Sequence, residues 1–354
     1  MITINMKDYG LSDKFLNESK MYSLSVGRII SQDKGLYKAV TENGEFKAQV
    51  SGKFRYNAIN ISDYPAVGDF VMMDENDGNA VIHQILNRKS AFIRKAAGTS
   101  HDDQVVAANV DTVFICMSLN KDFNLRRLER YISIGWDSGA IPVVVLTKSD
   151  LCDDIESLLI ELSDVAIGLD IMITSSLANE YENIKKYITY GHTVAFIGSS
   201  GVGKTTLINK LLGEEVFETK ELRNDDKGRH TTTKRELILV PDGGVVIDTP
   251  GMRELGIESA DFSKAFADID ELSQMCKFND CTHTKEPGCA VKRAIEDGNL
   301  TNKRLESYFK LKKEANYDGL NSKQIETEKL SRMFKDVGGM KNIRKFAKEK
   351  NKHN

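Results

Sequence analysis

A multidomain α/β chain is the fold class that the sequence predicts, and three observations predict it. Residues 24–90 alternate apolar and polar over five short spans separated by turn signals. Residues 110–212 alternate apolar runs with helix-period segments. Beyond residue 257 the pattern is helical around a cluster of cysteines. These shifts divide the chain into a small β-barrel at 1–92, whose first ~20 residues are expected as a flexible extension, an α/β domain at 93–256, and a mostly helical segment at 257–354.

The spans "SVGRII", "LYKAV", "EFKAQV", "DFVMM" and "AVIHQIL", with "DKG", "ENG" and "DENDGN" between them, read as short strands joined by tight turns. With no long helical pattern among them they predict a five-stranded closed barrel. An OB-fold fits the length, as would another small barrel. The stretch 94–104, "RKAAGTSHDDQ", reads as a linker. After it come strands at "VDTVFICMSL", "IPVVVLTKSD" and "DIMITSS", each followed by a helical pattern around "LRRLERYISIGWDSG", "IESLLIELSDVA" and "NEYENIKKYI". Such a series builds a parallel sheet covered on both faces. Phe262, Phe266, Ile269 and Leu272 then recur at helical spacing, and 301–316 is helical again.

Composition narrows the classes. With 354 residues, 40% hydrophobic and 29% charged, the chain has material for two or three cores. No apolar run approaches the roughly 20 residues that span a bilayer, and "MITINMKDYGLSDKF" has no basic-then-apolar leader, so a cytoplasmic protein without a membrane partner is expected. The net charge is −3, yet from Arg332 to the C-terminus eight Lys or Arg face only Asp336 and Glu349, a local net of +6 that suits nucleic acid. Five cysteines, an odd number, argue against a disulfide framework. Cys116 and Cys152 stand alone and read as structural.

The chemistry begins at "VAFIGSSGVGKTTLINKLL". Gly198, Ser199, Ser200, Gly201, Val202, Gly203, Lys204 and Thr205, followed by Thr206, satisfy GxxxxGK[ST] between a strand and a helix. Glycines let backbone N–H groups turn toward phosphates, the helix N-terminus adds partial positive charge, Lys204 reaches the terminal phosphates and Thr205 ligates Mg²⁺. The ligand is a nucleoside triphosphate. Thr147, Lys148, Ser149 and Asp150 end a buried strand, where a carboxylate accepts from guanine N1 and N2, groups adenine does not offer, and the Lys148 stem covers the ring. Ser175 and Ser176 end another strand and complete the base pocket. "VVIDTPGM" places Asp248 to hold Mg²⁺ through water and the Gly251 N–H toward the γ-phosphate.

The long polar segment between Lys210 and Arg235 contains "GRHTTTKRE" and reads as the switch that closes over the γ-phosphate. Thr232 is the favoured Mg²⁺ ligand there, with Thr231 and Thr233 as alternatives. These are the elements of a GTPase in the order base, base, phosphate loop, switch I, switch II. Ordinary GTPases begin with the phosphate loop, so this domain is circularly permuted, and the helix near 180–190 joins what would otherwise be its termini. Switch II then feeds directly into the C-terminal segment. Where Ras-like proteins carry a water-orienting Gln, this chain has Met252, and His230 is the nearest replacement. The catalytic set is therefore His230, Lys204 and Thr232.

"CKFNDCTHTKEPGC" brings Cys276, Cys281, His283 and Cys289 within fourteen residues, and "EPG" supplies the turn that folds the last one back. Three thiolates and an imidazole suit one tetrahedral Zn²⁺ with every position filled by protein, hence a structural ion.

A small barrel, a permuted GTPase with "TKSD", "GSSGVGKTT", "GRHTTT" and "DTPG", and a C-x₄-C-x-H-x₅-C cluster together resemble the bacterial RsgA family, the ribosome small-subunit-dependent GTPases, over roughly residues 20–320. The resemblance implies an OB-fold barrel and a GTPase stimulated by the 30S subunit. It also implies a role late in 30S maturation, on 16S rRNA, with hydrolysis of GTP to GDP and phosphate timing release. It maps the family's switch I histidine to His230 and its zinc ligands to the four residues above. The barrel shows no row of stacking aromatics, since Phe46, Phe54 and Tyr56 are scattered. RNA contact is therefore expected through phosphates at Lys53, Arg55, Arg88 and Lys89. A monomer is expected, and a pocket for GDP also accepts guanosine tetraphosphate as an inhibitor. Two other classes compete: a nucleotide-responsive rRNA-binding scaffold or stress adaptor with little turnover, and a metal- or tRNA-modifying enzyme, for which no open metal site is visible.

Overall fold

A computed structural model of the chain describes residues 4–33, 35–95, 103–175, 181–213, 235–241, 243–248 and 266–315. Strands β1 (Ser25–Asp33), β2 (Leu36–Thr41), β3 (Gly44–Val50), β4 (Phe70–Asn76) and β5 (Asn79–Ile85) close on themselves in the order β1-β2-β3-β5-β4-β1. All neighbours are antiparallel except β3 and β5. The alternating residues do what their period requires: Ile29, Tyr37, Ala39, Val71, Met73 and Ile82 meet inside, where Phe46 and Phe54 pack against them. This is the five-stranded OB-type barrel, with helix α2 (Gly52–Asn57) between β3 and β4.

From residue 4 onward, the first ~20 residues do not form the expected flexible extension. Helix α1 (Asp13–Ser19) buries Phe15 completely, and its ring stacks 4.4 Å from that of Phe70. Covering apolar surface on β4 outweighs the freedom of a short terminal segment. The expected linker is likewise structured at both ends. Strands β6 (Ala91–Lys95) and β7 (Asp103–Ala108) pair antiparallel with Arg94 opposite Gln104.

Strands β8 (Thr112–Ser118), β9 (Ile141–Thr147), β10 (Ile171–Ile173), β11 (Thr193–Ile197), β12 (Arg235–Leu239) and β13 (Val245–Asp248) lie in the order β10-β9-β8-β11-β13-β12. All are parallel except β12. The continuous Val, Ile and Phe runs of β8, β9, β11 and β13 are buried by helices α3 (Leu125–Ser138), α4 (Ile155–Ser163) and α6 (Lys204–Leu212), whereas β10 and β12 are only partly covered. The bridge that carries the permutation is only a single turn, α5 (Glu182–Lys185), where a full helix was expected. Only Ile184 of that turn is buried, so little holds a longer helix in place.

The barrel and this sheet are continuous. β1 pairs antiparallel with β12, Ser31 opposite Glu236, giving one sheet of eleven strands. Gly68 lies against Ala108 so closely that a Cβ there would stand 2.1 Å from the Ala108 carbonyl oxygen, and its φ of +94° also calls for glycine. Helices α7 (Ala267–Gln274), α8 (Ala290–Glu296) and α9 (Asn302–Ala315) complete the described residues. Phe266, Ile269, Val291 and Leu311 share a core with Leu128 and Ile132 of α3. No helix among the described residues is long and apolar enough to cross a membrane.

Candidate functional site

The carboxyl ends of β8, β9, β11 and β13 lie on one edge of the sheet, where doubly wound folds bind their ligands. The loop 198–203 leaves β11 there and enters α6. Gly198 has φ +144°, and a Cβ on it would meet the Cys116 carbonyl oxygen at 2.4 Å. Gly201 and Gly203 also have positive φ. Val202, 2% exposed, anchors the loop in the core beneath, while Ser200 and Gly201 are exposed at its tip. Lys204 is buried at the first position of α6, and its Nζ donates to Gly198 O and Ser199 O at 2.7 Å, inside the curl of the loop. Thr205 and Thr206 follow, half-buried, on the first turn. Such a loop presents backbone N–H groups, a helix N-terminus and an ammonium to one polyanion.

Lys148 takes the left-handed conformation (φ +57°), which turns the chain out of β9 and leaves Asp150 exposed. Ser175 Oγ donates to Asp150 Oδ1 at 2.6 Å, so the ends of β9 and β10 meet. The Thr147 hydroxyl donates to Val202 O at 2.5 Å and contacts Met117 O at 3.3 Å, thereby bracing the loop 198–203. A cleft beside these residues is lined by Lys148, Thr174, Ser175, Tyr181, Thr206 and Lys210. Thr174, Tyr181 and Lys210 carried no motif in the sequence. Lys210 Nζ lies 5.3 Å from the centre of the Tyr181 ring. Asp248, 6% exposed, ends β13 beside β11. Ser176, His230, Thr231, Thr232, Thr233, Gly251, Met252, Phe262 and the basic tail from Arg332 lie outside the described residues.

The cysteine cluster forms a second site. Cys276, Cys281, His283 and Cys289 bring one ligand atom each within 4.8 Å of all the others. Cys276 Sγ is 3.9 Å from Cys289 Sγ and 3.7 Å from His283 Nδ1, which is 3.4 Å from Cys289 Sγ. Tetrahedral zinc with its usual bond lengths has ligand-to-ligand edges of about 3.5–3.8 Å, so the donor set fits. His283 reaches the cluster with φ +58°, and Cys289 caps α8, accepting from Lys292 N at 3.5 Å. Burial opposes a Cys276 thiolate, but the Ala290 and Val291 amides at the start of α8 bring its pKa below the ordinary thiol value. The isolated Cys116 differs: fully buried, it is pushed up to about 12 and is inert.

Two of the cations expected on RNA are committed elsewhere. Arg88 forms a 2.7 Å ion pair with the fully buried Asp69 and donates to Ser62 O and Tyr64 O. Lys89 pairs with Asp111. A buried carboxylate needs such partners, and no local pattern around Asp69 marks it as buried. Lys53 and Arg55, by contrast, are exposed on α2 beside Tyr56, 89% exposed.

Comparison with known proteins agrees with this geometry. The family model described as RsgA GTPase matches residues 85–258. The chain is 50% identical over 347 residues to the small ribosomal subunit biogenesis GTPase RsgA 2 of Lactiplantibacillus plantarum, covering 97% of this chain and 98% of that protein. It is 42% identical over 331 residues to the small ribosomal subunit biogenesis GTPase RsgA of Methanosarcina acetivorans, covering 91% and 88%. The crystal structure of YjeQ from Thermotoga maritima aligns with a TM-score of 0.62 at 27% identity, covering 82% of this chain and 98% of that one. That of YloQ, described as a circularly permuted GTPase, aligns with a TM-score of 0.58 at 29% identity, covering 83% and 96%. With half of its residues shared along nearly its whole length with one such relative, the chain belongs to the RsgA GTPase family.

Proposed function

We propose that this protein is a GTPase of small-subunit ribosome assembly, which binds 16S rRNA within the 30S particle, hydrolyses GTP to GDP and phosphate there, and leaves on hydrolysis. The observation that carries the reading is its 50% identity, over 97% of the chain, to a protein named a small ribosomal subunit biogenesis GTPase. The boundaries 1–92, 93–256 and 257–354 assign the barrel, the GTPase and the zinc-binding helical part.

The amides of residues 198–203 and Lys204 hold the β- and γ-phosphates. Asp150 accepts from guanine N1 and N2 while Ser175 and Ser176 orient it, and the Lys148 stem covers the ring. Thr205, Thr232 and, through water, Asp248 hold Mg²⁺, which neutralises charge between the phosphates. The Gly251 N–H faces the γ-phosphate, and His230 orients the attacking water where Met252 cannot. Cys276, Cys281, His283 and Cys289 hold a structural Zn²⁺. Lys53, Arg55 and the basic tail meet rRNA phosphates. The protein acts as a cytoplasmic monomer, and guanosine tetraphosphate competes at the GDP pocket.

The test is GTP hydrolysis by the purified protein alone and with 30S subunits, 50S subunits and 70S ribosomes, with ATP as control. Stimulation confined to particles that expose the 30S interface is expected. Flat, slow turnover in every condition overturns the timing role in favour of a nucleotide-responsive scaffold. In the stimulated reaction, His230→Ala is expected to lower turnover by about 10²–10⁴-fold while GTP binding persists.

A further inference from the structure

Helix α3 touches two parts of the molecule at once. In its first turn, Arg127 Nη1 donates to Ser199 Oγ of the phosphate loop at 3.2 Å. Two residues on, and therefore on a different face of the helix, Glu129 points into the C-terminal helices. It is 2% exposed and pairs with Arg304 Nη1 of α9 at 3.2 Å. Arg304 is itself 4% exposed. Its Nε and Nη2 donate to the Asp268 carboxylate of α7 at 3.1 and 3.0 Å, and its guanidinium lies 4.4 Å over the Phe266 ring. One fork thus fixes α7, α9 and α3 together.

A buried ion pair is a poor way to gain stability, because an apolar contact of the same volume serves as well or better. What charge adds is direction: guanidinium and two carboxylates specify one relative placement of three helices, where an apolar contact tolerates several. Burial holds the Glu129 carboxyl above the ordinary carboxylate range, with the Ser307 hydroxyl and Arg304 acting against it. Opposite faces of a packed 14-residue helix do not move independently, so a displacement of Glu129 reaches Arg127.

We propose that Arg127 and Arg304 are positioning residues for the phosphate loop: Arg304 seats the C-terminal helices on α3 through Glu129, and Arg127, carried by the same helix, holds Ser199. The seating of these helices and the affinity for guanine nucleotide are then coupled, each favouring the other. The inference rests on the assignment of residues 198–205 as the GTP site.

Binding of a fluorescent GTP analogue to the full-length, zinc-loaded protein tests it. Arg127→Ala and Arg304→Met are each expected to weaken binding by about 5-fold. The double variant should be no weaker than the poorer single variant by more than a factor of about two, since both substitutions break one chain of contacts. Ser199→Ala should reproduce Arg127→Ala and add nothing to it. Should Arg304→Met not fold, Glu129→Gln takes its place in the cycle. A purely structural Arg304 would lower the melting temperature and leave affinity within twofold of wild type, which overturns the proposal. Fully additive losses overturn it as well. Failure of the wild-type protein to bind the GTP analogue, or binding that Lys204→Ala leaves unchanged, would instead refute the nucleotide-site assignment, so the two failures are distinguishable.

Discussion

Ser273 Oγ lies 3.0 Å from His283 Nε2, on the edge of the ring opposite the nitrogen that faces the thiols. Nδ1 is therefore the atom offered to a metal and Nε2 carries the proton, which Ser273 accepts. Ligating histidines depend on such a partner for tautomer and ring orientation. Ser273→Ala is expected to lower zinc affinity by about 10–100-fold, measured by competition with a chromogenic chelator. Unchanged affinity would show that packing alone orients the ring.

The loop between His283 and Cys289 is organised by one carboxylate. Glu286 accepts from the backbone N–H groups of Thr282, Thr284 and Lys285 at 3.1, 2.9 and 3.0 Å and from the Thr282 hydroxyl. These bonds favour the ionised form, the Thr282 hydroxyl most, and bring its pKa down from 4.5 to about 2. Because the folded value is the lower one, the stabilisation is complete above pH 4.5 and is lost as pH falls toward 2. A carboxyl-carbon NMR titration is expected to give a midpoint near 2 for Glu286. A midpoint of 4.5 would mean that the bonds do not persist in solution.

At the proposed base pocket, the contact between Ser175 and Asp150 leaves the second carboxylate oxygen and the remaining lone pairs for a ligand. Asp150→Asn replaces an acceptor by a donor opposite guanine N2 and leaves an unfavourable pairing. GTP affinity should fall by about 10–100-fold, as one or two lost charge-assisted bonds require. Xanthosine triphosphate, with a carbonyl where guanine has its amino group, should bind the variant better than GTP does. Equal loss for both nucleotides would place the base elsewhere.

Arg28 of β1 is 0% exposed and donates to Tyr9 O, to Gly68 O at 3.3 Å and to Thr193 Oγ1 at 2.8 Å, with Asn109 O at 3.5 Å. Its guanidinium lies 4.9 Å from the centre of the Phe70 ring. Burial pushes its pKa down to about 10, which still leaves it charged at neutral pH. It ties the N-terminal segment and the barrel to the first residue of the strand that carries the phosphate loop. Arg28→Ala leaves these acceptors buried without a donor and opens a cavity, at a cost of about 3–5 kcal/mol. Denaturant unfolding measures this, and a loss below about 1 kcal/mol would mean that water replaces the side chain.

What the sequence determined by itself is what local rules govern. Gly198, Gly203 and Lys204 must sit between a strand and a helix to make a phosphate loop, and they do. Asp150 follows an apolar run of the kind that is buried inside a parallel sheet, and Ser175 follows the shorter run of the edge strand β10 beside it. Four soft ligands within fourteen residues can close a tetrahedron without help from distant parts of the chain. The tertiary structure alone decided what depends on residues far apart in sequence. Arg88 and Lys89 read as exposed cations until Asp69 and Asp111 are brought against them. Residues 4–20 read as a loose extension until Phe70 is placed over Phe15. Nothing near Glu129 announces Arg304, 175 residues away, or that both are buried. Spacing and propensity act over a few residues, whereas burial of charge and the pairing of β1 with β12 arise only when separate elements pack.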